Sequence, residues 1–211
     1  MLSKLLILIV GMLLFLSAQT SLAASLHADA AVTSDYVWRG ISQTNGKPAV
    51  QGGLEYITET RWYFGAWVSN TSHGENGQNS PEVDYYVGLT GQGISTAYDL
   101  GVINYTYPES AGDGFTELYF SFMLEFFTVK YSTSSDVGTY IEASTSFKLP
   151  FRKDSSVNFH VGQYQLNNST DYMDANVSVR ISEFSLTVSK TTTNSPADKD
   201  YKTFVTWNRI F

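Results

Sequence analysis

Apolar and polar residues alternate with a period of two along most of this chain, which is the pattern of β-strands with two different faces. Val83, Tyr85 and Val87, for example, alternate with polar or small residues. Helical periodicity is hard to find after the first 23 residues. Twelve segments carry the alternation, at about 26–39, 50–56, 62–69, 83–89, 94–102, 117–122, 127–131, 141–148, 157–162, 175–181, 184–188 and 201–211. The chain is therefore predicted to be all-β.

Charged residues are confined almost entirely to one face of these segments, and Tyr36 and Trp38 are assigned to the apolar face of the first. On the apolar faces one charge intrudes, Arg209, two residues before Phe211. A basic residue that faces lipid costs about 2–4 kcal/mol at the midplane but about 0–1 kcal/mol near an interface. A soluble sandwich would turn its polar face outward, and lipid permits no open sheet edge. The pattern predicts a single closed antiparallel transmembrane β-barrel of about 12 strands.

The connections between the predicted strands alternate between long and short. Outer-membrane barrels have short periplasmic turns and longer external loops, so both chain ends are predicted on the periplasmic side. The long connections are 40–47, 71–80, 108–114, 132–138, 165–171 and 191–199.

The first residues resemble an export signal. Lys4 precedes an apolar run over residues 5–16, and small residues precede a cleavage position after Ala23. The run is shorter than the roughly 20 apolar residues that span a bilayer as a helix. We predict a cleaved signal peptide over 1–23 and an outer-membrane β-barrel over 24–211, in a Gram-negative bacterium.

Composition narrows the possible functions. A net charge of −7 argues against nucleic acid, whose partners carry basic patches. The chain has no cysteine, which excludes disulfides and cysteine metal sites. Fourteen tyrosines and 13 phenylalanines are what aromatic girdles at the two membrane interfaces would require. No cofactor is predicted.

Several motifs are similar to those of a known family. The stretch 35–43 reads DYVWRGISQ and is followed by GKPAVQGG at 46–53, and further matches such as VDYYVG at 83–88 extend to Tyr131. These residues resemble the Gcw_chp family of bacterial outer-membrane proteins, whose members are labelled TorF-type porins. One departure is Val68, where a glycine is expected. The resemblance implies an outer-membrane location and a transport role, and it supplies no substrate or catalytic residues.

Charged residues on the polar face are the candidate pore lining. Their acidic excess would favour cations in a narrow passage, because rings of charge set selectivity. Alternatively, acids and bases pair across the lumen and plug it, since twelve strands lie between small filled barrels and open porins. Arg39 is a candidate constriction cation or a structural ion-pair partner. The candidates are Arg39, Glu55, Asp84, Asp99, Glu117, Lys130, Glu142, Lys148, Arg180 and Lys202, and Asp29 and Glu183 share their face.

The chain end resembles the signal that barrel-assembly machinery reads. Tyr201, Trp207 and Phe211 share one face of the last segment. We predict a porin, or narrow diffusion channel, for small hydrophilic solutes or ions, with outer-membrane lipid and the assembly machinery as partners. The alternatives are a structural or adhesion barrel and, less favoured, a lipid-modifying enzyme. No catalytic residue is predicted. No metal site is predicted either, because His73 and Glu75 lack a third ligand.

Overall fold

Twelve antiparallel strands close into a barrel in the computed structural model, which describes residues 23–72, 80–108, 114–150, 152–193, 195 and 198–211. All but the last residue of the predicted signal peptide lies outside these described residues. The strands are β1 (Ser25–Thr33), β2 (Val37–Trp38), β3 (Ile41–Ser42), β4 (Ala49–Ile57), β5 (Trp62–Thr71), β6 (Ser80–Gln92), β7 (Thr96–Thr106), β8 (Phe115–Leu124), β9 (Phe127–Ser134), β10 (Gly138–Lys148), β11 (Ser155–Leu166), β12 (Tyr172–Ile181), β13 (Phe184–Thr191) and β14 (Lys202–Ile210).

Closure of the sheet depends on β1, which pairs with β4 along one edge and with β14 along the other. The remaining strands pair with their neighbours in chain order, while β2 and β3 form a separate two-stranded hairpin. The predicted all-β closed barrel of twelve strands is confirmed. Because every barrel strand has two partners, no backbone donor row is left at an edge.

The outer face of the barrel is apolar and exposed, and its inner face is polar and buried. Phe64 is 52% exposed, whereas its neighbour Tyr63 on the opposite face is 5% exposed. Leu118 and Tyr119 on β8 show the same contrast. A soluble barrel would bury its apolar side chains, so this surface is the one that matches lipid. No helix capable of crossing a membrane occurs in the described part of the chain.

Exposed aromatic side chains gather at the barrel end where the connections are short. Each lies on the outer face within a few residues of a strand terminus, at the depth where amphipathic rings favour a membrane interface. The members of this band are Tyr56, Trp62, Phe64, Phe126, Phe127, Phe147, Phe184 and Phe211.

The two ends of the barrel differ in their connections. We call the end with the connections 58–61, 93–95, 125–126, 149–154 and 182–183 the turn end, and the opposite end the loop end. The predicted long loop over 132–138 is wrong, because β9 and β10 continue to Ser134 and from Gly138 and leave a three-residue connection. The other external connections remain longer, so most of the predicted asymmetry holds.

The first predicted strand is too long. β1 ends at Thr33, and the chain then folds back into the barrel instead of continuing along its wall. Trp38 therefore contacts the lumen residues Tyr105 and Tyr164, with ring centroids 5.8 and 6.1 Å away. Tyr36 also lies inside, against Trp67 at 5.5 Å. Their assignment to the lipid face was wrong.

Candidate functional site

The segment that folds into the lumen after β1 forms a tight hairpin of β2 and β3. Val37 pairs with Ser42 and Trp38 with Ile41, so Arg39 and Gly40 form a two-residue turn. Their φ angles of 47° and 79° are both positive, as in the type I′ turn that suits a hairpin's twist. For a residue with a side chain, this left-handed backbone conformation is unfavourable by about 1–2 kcal/mol. Arg39 is held there by contacts made across the lumen.

Side-chain hydrogen bonds hold the base of the hairpin together. The Asp35 carboxylate accepts hydrogen bonds from the hydroxyls of Ser42 and Thr44. The Tyr36 N–H donates to Thr44 Oγ1 at 3.1 Å, and the Gln43 N–H donates to the Tyr36 carbonyl at 2.7 Å. These bonds tie both arms of the loop together, so the hairpin projects into the lumen as one unit.

A buried ion pair docks the tip of the hairpin onto the barrel wall. Arg39 Nη2 donates to both carboxylate oxygens of Glu117 on β8 at 2.8 Å, and the side chains are 7% and 2% exposed. The guanidinium carbon also lies 4.2, 4.3 and 4.8 Å from the ring centroids of Tyr140, Trp38 and Tyr164. An arginine guanidinium keeps its proton in proteins. Arg39 is therefore a permanent cation inside the barrel.

The opposite side of the tip touches the far wall. A methyl group at Gly40 would lie 2.3 Å from Thr191 Cγ2 and 2.8 Å from Asp174 Cβ. Only glycine fits both this close approach and the positive φ. Since Glu117 is on β8 and Asp174 and Thr191 are on β12 and β13, the hairpin crosses the lumen from wall to wall.

The loop-end half of the lumen is packed around this hairpin. Tyr140, Tyr164 and Tyr172 form a buried cluster, and Trp38 and Ile41 of the hairpin pack against it. Aromatic rings at these distances interact edge to face. The aromatic core of the protein thus lies in the loop-end half of the lumen, where it constricts any passage.

The turn-end half of the lumen is open. A cavity of about 420 Å³ is lined by Asp29, Glu55 and Asn208, and one of about 380 Å³ by Glu55, Asp99 and Lys130. The two share Glu55, Ile57 and Tyr86. Acidic side chains outnumber Lys130 along these linings in the described residues. We call these two joined cavities the acidic vestibule.

A third cavity of about 280 Å³ lies at the hairpin tip and shares Tyr105 and Lys130 with the vestibule. His160 lines this cavity. Its Nε2 lies 3.1 Å from Asp174 Oδ1, and its Nδ1 lies 3.4 Å from Glu142 Oε2. Since the two acids face different ring nitrogens, they do not converge on one metal position. No cluster of three or more potential His, Cys, Asp or Glu metal ligands is present among the described residues.

The other predicted lining residues lie at several depths. Asp99 accepts a hydrogen bond from the Tyr63 hydroxyl at 2.6 Å, and the Lys130 ammonium lies 4.3 Å from the Tyr119 ring centroid. Lys202 pairs with Asp198 at 2.9 Å near the loop end. Lys148 and Arg180 lie at the turn-end rim, where both pair in register with Ser156 and are exposed.

Glu183 does not face the lumen as predicted. It lies in the turn after β12, accepts a hydrogen bond from Trp207 Nε1 at 2.8 Å, and lies 3.7 Å from Arg209. Both partners belong to the outer face of β14, so the assignment of Glu183 to the interior was wrong. The contact gives Arg209, the one charge on that face, an acidic partner.

Of the predicted assembly residues, Tyr201 precedes β14, Phe211 follows it and Trp207 lies within it. The Phe211 N–H donates to the Ala28 carbonyl at 2.8 Å, which extends the seam between β14 and β1. Phe211 is exposed at the turn end. Tyr201 is exposed before β14 begins, with the Lys190 ammonium 5.0 Å from its ring centroid.

Two buried lumen acids, Glu82 and Asp174, are not among the residues predicted from the sequence. Each lies on the polar face of a correctly predicted strand, one position before its predicted start. Continuing the alternation outward from Val83 and Ala175 would have included them. Tyr140 donates to Asp174 Oδ2 at 2.8 Å, whereas Glu82 lies beside Asp84 without a basic partner among the described residues.

The geometry identifies the class of protein. A closed twelve-stranded barrel with an apolar exterior and a polar interior has the architecture of a transmembrane β-barrel. Two solved structures are similar to this fold: one named KdgM porin, with a TM-score of 0.58 and 7% identity over 88% of this chain and 98% of that chain, and one named KdgM porin in complex with disordered oligogalacturonate, with a TM-score of 0.54 and 6% identity over 90% and 98%. At such low identity the likeness concerns the fold alone.

The family follows from the sequence. The profile described as "Bacterial protein of unknown function (Gcw_chp)" matches residues 17–210, so the chain belongs to that family, as the motifs predicted. No functionally curated protein matches the chain significantly.

Proposed function

We propose that this chain is an outer-membrane channel for small hydrophilic solutes or ions and that it prefers cations. The porin fold and the apolar belt support a channel. The observation that supports the preference is the excess of acids in the vestibule, which is lined by Asp29, Glu55 and Asp99 but, among lysines and arginines of the described residues, only by Lys130. Fixed charges that line a narrow passage concentrate ions of the opposite sign.

The proposed orientation places the turn end in the periplasm and the loop end outside the cell. Short periplasmic turns and longer external loops are the rule in such barrels. Solutes that enter from outside would meet the hairpin first and the acidic vestibule second. The Arg39–Glu117 pair is then the proposed constriction.

The proposed solutes differ from the oligogalacturonate in the name of one similar structure. Galacturonate units carry carboxylates, which the acidic vestibule would repel. The hairpin also leaves no wide passage past Tyr140 and Tyr164. A small cation or neutral solute fits this lumen better than an acidic oligosaccharide.

The proposal is tested by reconstituting the purified barrel in planar bilayers. Discrete conductance steps with a potassium-to-chloride permeability ratio above one are expected. Absence of steps from a correctly folded barrel would favour the structural or adhesion alternative. Release of fatty acid from lipid by the same preparation would instead support an enzyme.

Reversing one vestibule charge provides the sharper test of selectivity. Glu55→Lys should lower the potassium-to-chloride permeability ratio about twofold or more, because it adds positive charge to a side chain that lines both cavities. Reversal potentials under a salt gradient give this ratio. Glu59→Lys is the matched control, since Glu59 is exposed in the adjacent turn. A ratio unchanged by Glu55→Lys, with the barrel folded, would show that the vestibule does not set selectivity.

The proposed role of Phe211 is in assembly. Its deletion should reduce the amount of folded barrel inserted in the membrane, because an exposed terminal aromatic and one seam hydrogen bond are lost. Heat-modifiable mobility of membrane fractions measures insertion, and single-channel recording measures the molecules that insert. Normal insertion without Phe211, or altered conductance of the inserted molecules, would contradict this role.

A further inference from the structure

We propose that Glu82 and Asp84 bind a divalent cation with hard oxygen-ligand chemistry, such as Ca²⁺, inside the barrel near the loop end. The inference deepens the proposed function and rests on it only for what the bound ion does in transport. The binding itself can be measured without any current.

The two carboxylates lie on the same wall of the lumen. Glu82 and Asp84 are two residues apart on β6, so both face inward and their Cα atoms lie about 7 Å apart. Asp84 is in register with Tyr105 on β7 and Trp67 on β5, and Glu82 is in register with Ser69. The neighbouring walls therefore supply aromatic and hydroxyl groups but no base.

Both side chains are almost completely buried, at 2% and 4% exposure. Asp84 forms no hydrogen bond or ion pair with any described residue, and its Oδ1 is buried. Glu82 Oε1 accepts a hydrogen bond from the Tyr107 hydroxyl at 3.0 Å, while Glu82 Oε2 is buried and has no partner. An unpaired buried carboxylate is unfavourable and is neutralised either by a proton or by a bound cation.

The other buried acids among the described residues each lie against a basic side chain. Glu117 pairs with Arg39, Asp198 with Lys202, and Asp174 accepts from Tyr140 and contacts His160. Arg39 and Lys202 are thus committed elsewhere. Glu82 and Asp84 are the exception, which singles them out as a site for an external cation.

The donor set indicates the class of cation. Two carboxylates carry two negative charges, and the Tyr107 and Tyr36 hydroxyls adjoin Glu82. These are hard oxygen donors, which Ca²⁺ prefers, and one divalent ion balances the charge. Dedicated calcium sites provide six to eight oxygens, so water would complete this shell.

Terbium luminescence tests the site directly. Tb³⁺ added to the barrel in detergent micelles should emit when tyrosine is excited, because Tyr36 and Tyr107 adjoin the carboxylates, and Ca²⁺ should displace it. The E82Q/D84N variant should bind Tb³⁺ at least about tenfold more weakly. The matched control is E59Q/E125Q, which removes two exposed turn-end carboxylates and should retain the affinity. Equal affinity in the wild type and E82Q/D84N, or loss in the control alone, would overturn the proposal.

A second measurement, made on the wild-type protein, tests the site even if E82Q/D84N fails to fold. Ca²⁺ should raise the thermal midpoint of the wild-type barrel in micelles, since a ligand that binds only the folded state stabilises it. No shift up to millimolar Ca²⁺ would overturn the site. If Tb³⁺ binding depends on Glu82 and Asp84 but no conductance appears, the proposed function fails while the site stands. If the barrel conducts and the Tb³⁺ signal is insensitive to the substitutions, the site fails alone.

Discussion

A barrel whose residues 37–42 are replaced by Gly-Ser-Gly should conduct about threefold more current than the intact chain, or more. The replacement removes Trp38, Arg39 and Ile41, which pack against the tyrosine cluster in the loop-end half of the lumen. Conductance through a series of resistances is limited by its narrowest part. Widening that part should therefore have a larger effect than any single substitution in the vestibule.

The closed sheet should survive this replacement. The hairpin contributes no strand to the barrel, whose seam is formed by β1 with β4 and β14. Asp35 and Thr44, which hold the base of the loop, are retained. Residual constriction would come from the cluster of Tyr140, Tyr164 and Tyr172 on the wall.

The control replaces residues 168–170, in an exposed external turn, by the same Gly-Ser-Gly. Because this turn does not cross the lumen, its replacement should leave the current unchanged. Single-channel recording of both variants at equal salt measures the difference. If the hairpin replacement leaves the conductance at the wild-type value while the protein inserts normally, the hairpin is not the constriction.

Alternation of residues predicts a barrel well because lipid imposes the same rule on every strand. Each outward position must be apolar and each inward position is free to be polar, so faces could be read along the whole chain. The rule also places Glu55, Asp84 and Asp99 on one face without any knowledge of their partners. Such local information fixes strands and faces.

The same rule cannot tell where a strand leaves the wall. Tyr36 and Trp38 continue the alternation of β1, because a hairpin packed against lumen aromatics needs apolar side chains just as a lipid-facing strand does. Gly40, at the second position of the two-residue turn, is the local signal that could have marked the change. Partners across the lumen are equally hidden, since Glu117 lies 78 residues from Arg39 in sequence.

The Arg39–Glu117 pair should show the strongest energetic coupling in the barrel. Arg39→Gln or Glu117→Gln alone should lower the free energy of unfolding by about 3–5 kcal/mol, because each leaves an unpaired buried charge. The double variant should recover most of this loss, since neither charge then remains. Urea unfolding from lipid vesicles, followed by tryptophan fluorescence, measures the free energy of unfolding of the wild type, the two single variants and the double variant.

The exposed pair Arg152–Asp154 provides the matched control. Its nitrogen–oxygen distance is also 2.8 Å, but both side chains are about half exposed to solvent. Arg152→Gln, Asp154→Asn and their combination should leave the stability nearly unchanged, because water screens such pairs. Additive losses in the Arg39–Glu117 cycle would contradict the assignment of this contact as the one that docks the hairpin.

Ion selectivity separates the electrostatic role of the pair from its structural role. Arg39→Gln leaves a carboxylate at the constriction and should raise the potassium-to-chloride permeability ratio, whereas Glu117→Gln leaves a guanidinium there and should lower it. A hairpin that merely loosens would shift the ratio in the same direction in both variants. Opposite shifts therefore identify a charged constriction, and parallel shifts would show that Arg39 and Glu117 only hold the hairpin in place.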